Sequence, residues 1–430
     1  MSKKTINVPI LARVEGEGAL ELDIENNKIK SLQLRIYEPP RYFEKFIEGR
    51  NSNDVIDIVA RICGICPIAY QMSAAHAFES IFNVNPGSWV RDMRRVIYCG
   101  EWLQSHSLHI HLLAAPDFLG FSNAIEMAAK YPNEVKRGMK LQRLGNELIR
   151  MMGARSVHPV NVCVGGFYHA PTLSEVDIML RKLRDAEADV VALIRWLATL
   201  ELPQFPQDIT FVSLKHPYEY PLNEGNLVSN KGLNVPISEY EKHFTEFHAV
   251  QSTALHSILD DKPYLVGPLS RLNLCYEQLP QKILDIIEEI GLKLPSMNMF
   301  DSIIARAIEN YYAILEAVRI LEHYSIPDSP RVTDIKPKAG EGFGCTEAPR
   351  GICWHHYETD DKGLVTKARI VPPTSQNQPR IEEDLILTLE KYGLKHSDDE
   401  LRLMGEMVIR NYDPCISCSV HFLDMRVNRK

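Results

Sequence analysis

Two Cys-x-x-Cys pairs at opposite ends of the chain limit its fold more than any other feature. Cys63 and Cys66 stand in Arg61-Ile62-Cys63-Gly64-Ile65-Cys66, and Cys415 and Cys418 in Asp413-Pro414-Cys415-Ile416-Ser417-Cys418. One such pair supplies only two donors from one tight turn, so a shared site of four thiolates requires a fold that joins the two ends. Soft sulfur donors select nickel, zinc, copper(I) or iron-sulfur centres over magnesium or calcium. From the pairs alone, a structural zinc site or two separate redox pairs is the ordinary alternative. Cys99, Cys163, Cys275, Cys345 and Cys353 are scattered and read as mostly core thiols.

The 430 residues exceed the usual single-domain size but suit one core enlarged by insertions, so one continuous body with lobes is expected. A net charge of -8, with no basic run interleaved with aromatics, excludes a nucleic-acid footprint. The first residues lack the apolar stretch of a secretory signal, and no run of about 18 apolar residues marks a membrane span, so a cytoplasmic location is expected.

Periodicity predicts an α+β fold, a large central helical bundle with antiparallel sheets at its periphery. Residues 6–37 alternate around Glu25-Asn26-Asn27 as a hairpin, within an N-terminal strand lobe of residues 1–52. Helical spacing then runs from about Asn53 to Leu200, making 53–201 the helical core that carries the first cysteine pair. Residues 202–330 read as an excursion with short strands over 203–237, followed by helices at 238–259, 277–291 and Met299–Tyr324. A strand-rich lobe, 331–378, turns at Asp360-Asp361-Lys362-Gly363. Helices at 380–393 and 397–411 lead to the last cysteines, within a C-terminal lobe of 379–430.

Four neighbours fit poorly with closed tetrahedral zinc. Arg61 and Asp413 flank the pairs, where charged groups tune a metal or carry protons. Glu44 precedes the first pair and His421 follows the second, an oxygen and a nitrogen donor suited to a second, harder ion. The plainer alternatives are a solvated helix charge for Glu44 and a satisfied near-terminal imidazole for His421.

These residues belong to a longer series of ordered motifs. Arg13-Val14-Glu15-Gly16, Arg61 to Cys66, His158-Pro159 with Gly165-Gly166, Val266-Gly267-Pro268-Leu269, Thr346-Glu347-Ala348-Pro349-Arg350-Gly351 and Asp413 to His421 run along nearly the whole chain. In them the sequence resembles the large, catalytic subunit of nickel-iron hydrogenases, in the cytoplasmic multi-subunit branch linked to NAD(P). The resemblance implies a nickel-iron centre with carbon monoxide and cyanide on iron, with Cys63 and Cys415 as terminal nickel ligands and Cys66 and Cys418 as bridging ones. It implies reversible heterolytic cleavage of H2, with Cys415 taking the proton and Glu15 passing it outward. Without the motif, Glu15 reads as a strand-edge charge beside Arg13.

The same resemblance places Arg350 over the open face of the metals as electrostatic support, with Asp117 and Asp413 pairing with or orienting it; the alternative for Asp117 is an exposed loop position. It assigns magnesium to Glu44, His421 and the backbone carbonyl at or near Ile370, and the lining of the diatomic ligands to Pro372, Pro373, Thr374 and Ser375. Thr374 or Ser375 then donates a hydrogen bond to cyanide. The sequence departs from the family in carrying Tyr70 where many members have a histidine, in the unusual Pro372-Pro373 segment with Gln376, and in a tail, 422–430, that many members lose once nickel is inserted. With no cysteine set left for an iron-sulfur relay, an iron-sulfur small subunit is implied, with further subunits carrying flavin and binding NAD(P). Two other readings remain, a metal-free fold relative serving as a structural subunit of an energy-conserving redox complex, and a zinc-stabilised scaffold.

Overall fold

The computed structural model describes residues 3–420. Its N-terminal lobe is an antiparallel sheet of β1 (Lys3–Val8), β2 (Gly18–Glu25) and β3 (Lys28–Ile36). Asn26 and Asn27 hold φ of 52° and 58°, the left-handed pair that a two-residue turn between twisted strands requires. Leu20, Leu22 and Ile24 alternate inward as the pattern predicts, and they pack on the last two long helices.

The helical bundle follows. Its long members are α1 (Pro67–Phe82), α2 (Gly87–Leu108), α3 (Pro132–Gly153), α4 (Leu173–Ala198) and, much later in the chain, α5 (Ser302–Leu321). Where α2 crosses α3, a Cβ on Gly145 would stand 2.5 Å from the Gln104 nitrogen, so only glycine admits this close approach. At its C-terminal end α2 runs into a π-helix, His109–Ala114. The excursion carries the expected short strands, Val212–Lys215, Asn226–Ser229 and Asn234–Val235.

Helix was expected over 238–259, and the structure corrects this. Only a 3-10 turn, Ile237–Glu239, and the α-helical turn Tyr240–His243 precede an antiparallel hairpin, β4 (Phe244–His248) with β5 (Leu255–Leu259). Tyr240, Phe244 and Phe247 fit helical spacing, but tertiary contacts decide otherwise. Tyr240 stacks on Phe244 at 4.3 Å and on Trp354 at 4.6 Å, and Glu246 pairs with Arg369 on a neighbouring strand.

The strand-rich lobe is the antiparallel sheet β6 (Gly340–Ala348), β7 (Gly351–Thr359) and β8 (Val365–Val371). It lies on α1 so closely that a Cβ on Gly344 would be 1.9 Å from the Ser73 carbonyl oxygen. Ser73 donates to the Cys353 carbonyl (2.8 Å) and Tyr98 to the Thr346 hydroxyl (2.7 Å), which fix α1 and α2 against the sheet. The next helix, α6 (Pro373–Tyr392), starts seven residues before its expected bound. Pro379 lies inside the helix, where its missing N–H costs one backbone bond. The final long helix, α7 (Asp398–Asn411), begins at a capping box of Ser397 and Glu400. Among the described residues no helix is long and apolar enough to cross a membrane.

Candidate metal centre

Cys66 ends a tight turn and immediately precedes Pro67, the first residue of α1. In that turn the N–H groups of Ile65 and Cys66 both point at Cys63 Sγ, at 3.3 and 3.2 Å. Cys415 and Cys418 belong to a second short turn just after α7, which Asp413 enters at a φ of 56°. The fold brings the turns into contact. Cys63 Sγ lies 3.5 Å from Cys415 Sγ and Cys66 Sγ 3.9 Å from Cys418 Sγ, while Cys415 and Cys418 are drawn together as a disulfide. All four sulfurs are buried and lie within 4.8 Å of one another.

Backbone contacts explain the convergence. Glu15 forms a parallel bridge with Cys415, its carbonyl accepting the Ile416 N–H at 3.0 Å. The Glu15 carboxylate accepts the hydroxyl and, at 3.1 Å, the N–H of Ser417. Gly16 beside it is obligatory, since a Cβ there would meet Ile416 and Glu38 at 2.6 Å. Arg41 was not singled out from the sequence, yet it joins both cysteine segments. Its guanidinium donates to the Ile62 carbonyl at 2.6 Å and to the Ser417 carbonyl, and its own N–H to the Val420 carbonyl at 2.7 Å. Only its place in Arg41-Tyr42-Phe43-Glu44 hinted at a role.

The charges around the sulfurs are opposed in sign. Burial pushes the Cys63 thiol up, but hydrogen bonding with Cys66 and the Arg350 cation prevail and bring it down. That same bond, with burial, drives Cys66 well up. Arg350 sits at the tip of the β6–β7 hairpin, between Ala348 and Gly351. Arg350 donates from Nε to the Asp413 carbonyl (2.7 Å) and from Nη2 to Asp413 Oδ1 (3.0 Å). Its Nη1 and Asp413 Oδ2 are buried without hydrogen-bond partners, polar capacity left open beside the sulfurs.

Beneath the tip, buried Arg271 donates to the Ala348 carbonyl (2.9 Å), the Pro349 carbonyl (3.0 Å) and Glu347 (2.8 Å), and is anchored by two 2.7 Å bonds to Glu309. Gly267, at φ 119°, lets the chain approach Arg350, whose carbonyl oxygen would be 2.9 Å from any Cβ there.

Two expected neighbours lie elsewhere. Asp117 was expected to orient Arg350; instead it accepts from Arg410 Nε (2.7 Å) and Nη2 (2.9 Å) and pairs with Arg13, because its short helix faces the N-terminal loop and α7. Arg61 is exposed and donates to the Asp57 carbonyl of its own turn, so its charge is directed to solvent. Glu44 and Ile370 do meet, but the Glu44 carboxylate accepts the Ile370 N–H at 2.7 Å, where a shared ion had been expected at the carbonyl. Burial raises this acid to about 8, opposed by that hydrogen bond. His421 lies outside the described residues.

Pro372, Pro373, Thr374 and Ser375 are all buried where α6 begins. Thr374 Oγ1 accepts the Cys415 N–H at 2.9 Å and keeps its own proton to give, whereas Ser375 spends its proton on the Pro372 carbonyl at 3.0 Å. The Tyr70 hydroxyl is buried without a hydrogen-bond partner, and burial, with Cys353, Cys66 and Cys63 nearby, raises it far above its usual range. Glu101 is a group the sequence concealed. From the middle of α2 it accepts the N–H groups of Ile68 (2.6 Å) and Ala69 (3.1 Å), capping the helix that Cys66 begins. An acid inside an otherwise apolar helix face was its only signal.

Four buried sulfurs with an arginine and two open polar atoms above them suit a soft-donor metal centre and do not suit a lone hard cation. A profile of the nickel-dependent hydrogenase family matches residues 41–140 and 234–421. Sulfhydrogenase 1 subunit alpha of Pyrococcus furiosus is 32% identical over 422 residues, covering 97% of each chain. The beta subunit of the NAD-reducing hydrogenase HoxS of Cupriavidus necator is 26% identical, covering 98% of this chain and 96% of that one. Among solved structures, an NAD+-reducing [NiFe]-hydrogenase in its H2-reduced state superposes with a TM-score of 0.87 at 25% identity, covering 97% of this chain and 99% of its own.

Proposed function

The chain belongs to the nickel-dependent hydrogenase family, and from that premise we propose that its four converging cysteines hold a nickel-iron centre at which H2 is reversibly cleaved. The observation that carries this reading is the gathering of Cys63, Cys66, Cys415 and Cys418 within 4.8 Å in a buried site. When bound, the centre supplies the redox chemistry that splits H2 into protons and electrons. The remaining work falls to side chains. Cys63, Cys66, Cys415 and Cys418 would hold the centre, and the Cys415 sulfur would accept a proton. Glu15, tied to the Cys415 turn through Ser417, moves that proton outward.

Arg350 remains a cation, since it is bonded twice to Asp413 and burial is outweighed by that carboxylate. It therefore supports charge above the sulfurs and does not act as a base. Pro372, Pro373 and Thr374 would line the pocket for the diatomic ligands, carbon monoxide and cyanide, with the Thr374 proton available to cyanide; Ser375 holds the turn. Glu44, Ile370 and His421 are proposed to hold magnesium.

Electrons leave through an iron-sulfur small subunit and onward to flavin- and NAD(P)-binding subunits, in a cytoplasmic complex. This is supported by the likeness to the NAD-reducing enzymes. Elemental analysis of the purified complex tests the reading, together with infrared spectroscopy. Nickel and iron in equal amounts, with carbon monoxide and cyanide bands and H2-dependent exchange with solvent protons, are expected. Zinc alone, without those bands, would overturn it in favour of the scaffold.

A further inference from the structure

The face of the β6–β8 sheet turned away from the cysteines carries a second group of ligating side chains. Along β7, Cys353 and Tyr357 join the core that contains the four cysteines, while Trp354 packs in a separate cluster on the other side. His356 and Glu358 alternate with Trp354 onto that outer face. Strand register sets Glu341 of β6 directly opposite Glu358. Two carboxylates so opposed repel unless a cation stands between them. Lys367 offsets one, with its Nζ 2.8 Å from Glu358 Oε1. Glu341 has no lysine or arginine at ion-pair distance among the described residues; its neighbour is His356.

His356 is only 3% exposed and lies beneath Phe343, with ring centroids 4.6 Å apart. Its Nδ1 is 3.3 Å from Glu241 Oε2. Glu241 also pairs with Arg369, which reaches Glu246 as well. With Nδ1 turned toward Glu241, Nε2 faces the opposite way, toward Glu341. Glu341 Oε1 is 2.9 Å away but misaligned, so this solvent-shielded nitrogen makes no hydrogen bond. An imidazole with one nitrogen beside a carboxylate, and the other facing two more carboxylates without a hydrogen bond, has the arrangement of a metal-ligating histidine.

We propose that Glu341, His356 and Glu358 form a peripheral site for a divalent transition metal such as zinc. Their ligand atoms already lie within 4.8 Å of one another, and rotation of the exposed Glu341 chain brings them to the spacing that metal bonds of about 2.0–2.2 Å require. Glu358 binds through the oxygen that Lys367 leaves open. Such an ion would tie β6 to β7, the two strands whose far end presents Arg350.

The test uses the whole purified complex, stripped of loosely held metal by a chelator and titrated with zinc chloride alone, then with cobalt(II) for its visible spectrum. The expected result is one more tight zinc equivalent in the native complex than in Glu341→Gln, with affinity at least tenfold lower in the variant and H2 turnover unchanged. His356→Gln should also abolish the cobalt absorption. Equal zinc stoichiometry in native and Glu341→Gln complexes would overturn the proposal, as would a cobalt spectrum indifferent to His356→Gln. Loss of stability in His356→Gln with no zinc bound by the native complex would likewise overturn it, leaving His356 as a charged brace. None of these readouts depends on the cysteine site.

Discussion

Glu15 and Arg41 do different work although both touch the turn of Cys415. Glu15→Gln keeps the hydrogen-bonding shape toward Ser417 but cannot take up a proton. Exchange of H2 with solvent protons is therefore expected to fall by at least two orders of magnitude, while the infrared bands of the centre stay in place. Unchanged exchange would remove Glu15 from the proton path. Arg41→Ala should act earlier, on assembly. It deletes charge-assisted bonds to Ile62 and Ser417, each worth about 1.5–3 kcal/mol, and so frees one cysteine turn from the other. The nickel content of the purified variant checks this, and full occupancy would show that the clamp is dispensable. Cys63, Cys66, Cys415 and Cys418 could be picked out in the sequence because thiol pairs are rare and their spacing has chemical meaning. Arg41 and Glu101 could not, since nothing in a lone arginine or a mid-helix glutamate shows which distant carbonyl or N–H it will meet.

At the level of elements, the β6–β7 hairpin is a rigid arm that delivers Arg350, and Arg271 is its support. Arg271→Met leaves Glu309 and Glu347 buried without their cation, a change expected to cost about 3–5 kcal/mol. The denaturant midpoint should fall accordingly, and turnover should fall with it; an unaltered midpoint would mean that the tip is held by other contacts. Gly344→Ala tests the seat of the same arm on α1. Its Cβ would overlap the Ser73 carbonyl, so a loss of about 1–3 kcal/mol is expected. Alternation and turn residues made β2, β3, β7 and β8 legible. The stretch from Tyr240 to Leu259 misled because its aromatic spacing serves a helix and a strand equally well, and only stacking on Trp354 and pairing with Arg369 discriminate.

Across the whole molecule, burial holds a set of histidines neutral. Desolvation lowers His106 and His111 to about 4 and His109 to about 3, below the ordinary value of 6.5. The unfolded chain therefore binds more protons than the folded one between those values, and stability falls as the pH drops from 6.5 toward 4. Each group contributes about 1.4 kcal/mol per pH unit inside its window. Urea unfolding at pH 7 and pH 5 should show the loss, and His111→Phe should flatten the slope; a pH-independent midpoint would refute it. The amino-acid order by itself determined the donor chemistry, the alternation of strands and the amphipathic helices, because these depend on residue type and local spacing. The tertiary structure alone decided that Asp117 belongs to Arg13 and Arg410 and that Arg41 joins the two cysteine turns. Such pairings join segments far apart in the chain, and their energy exists only once packing has excluded water from between them.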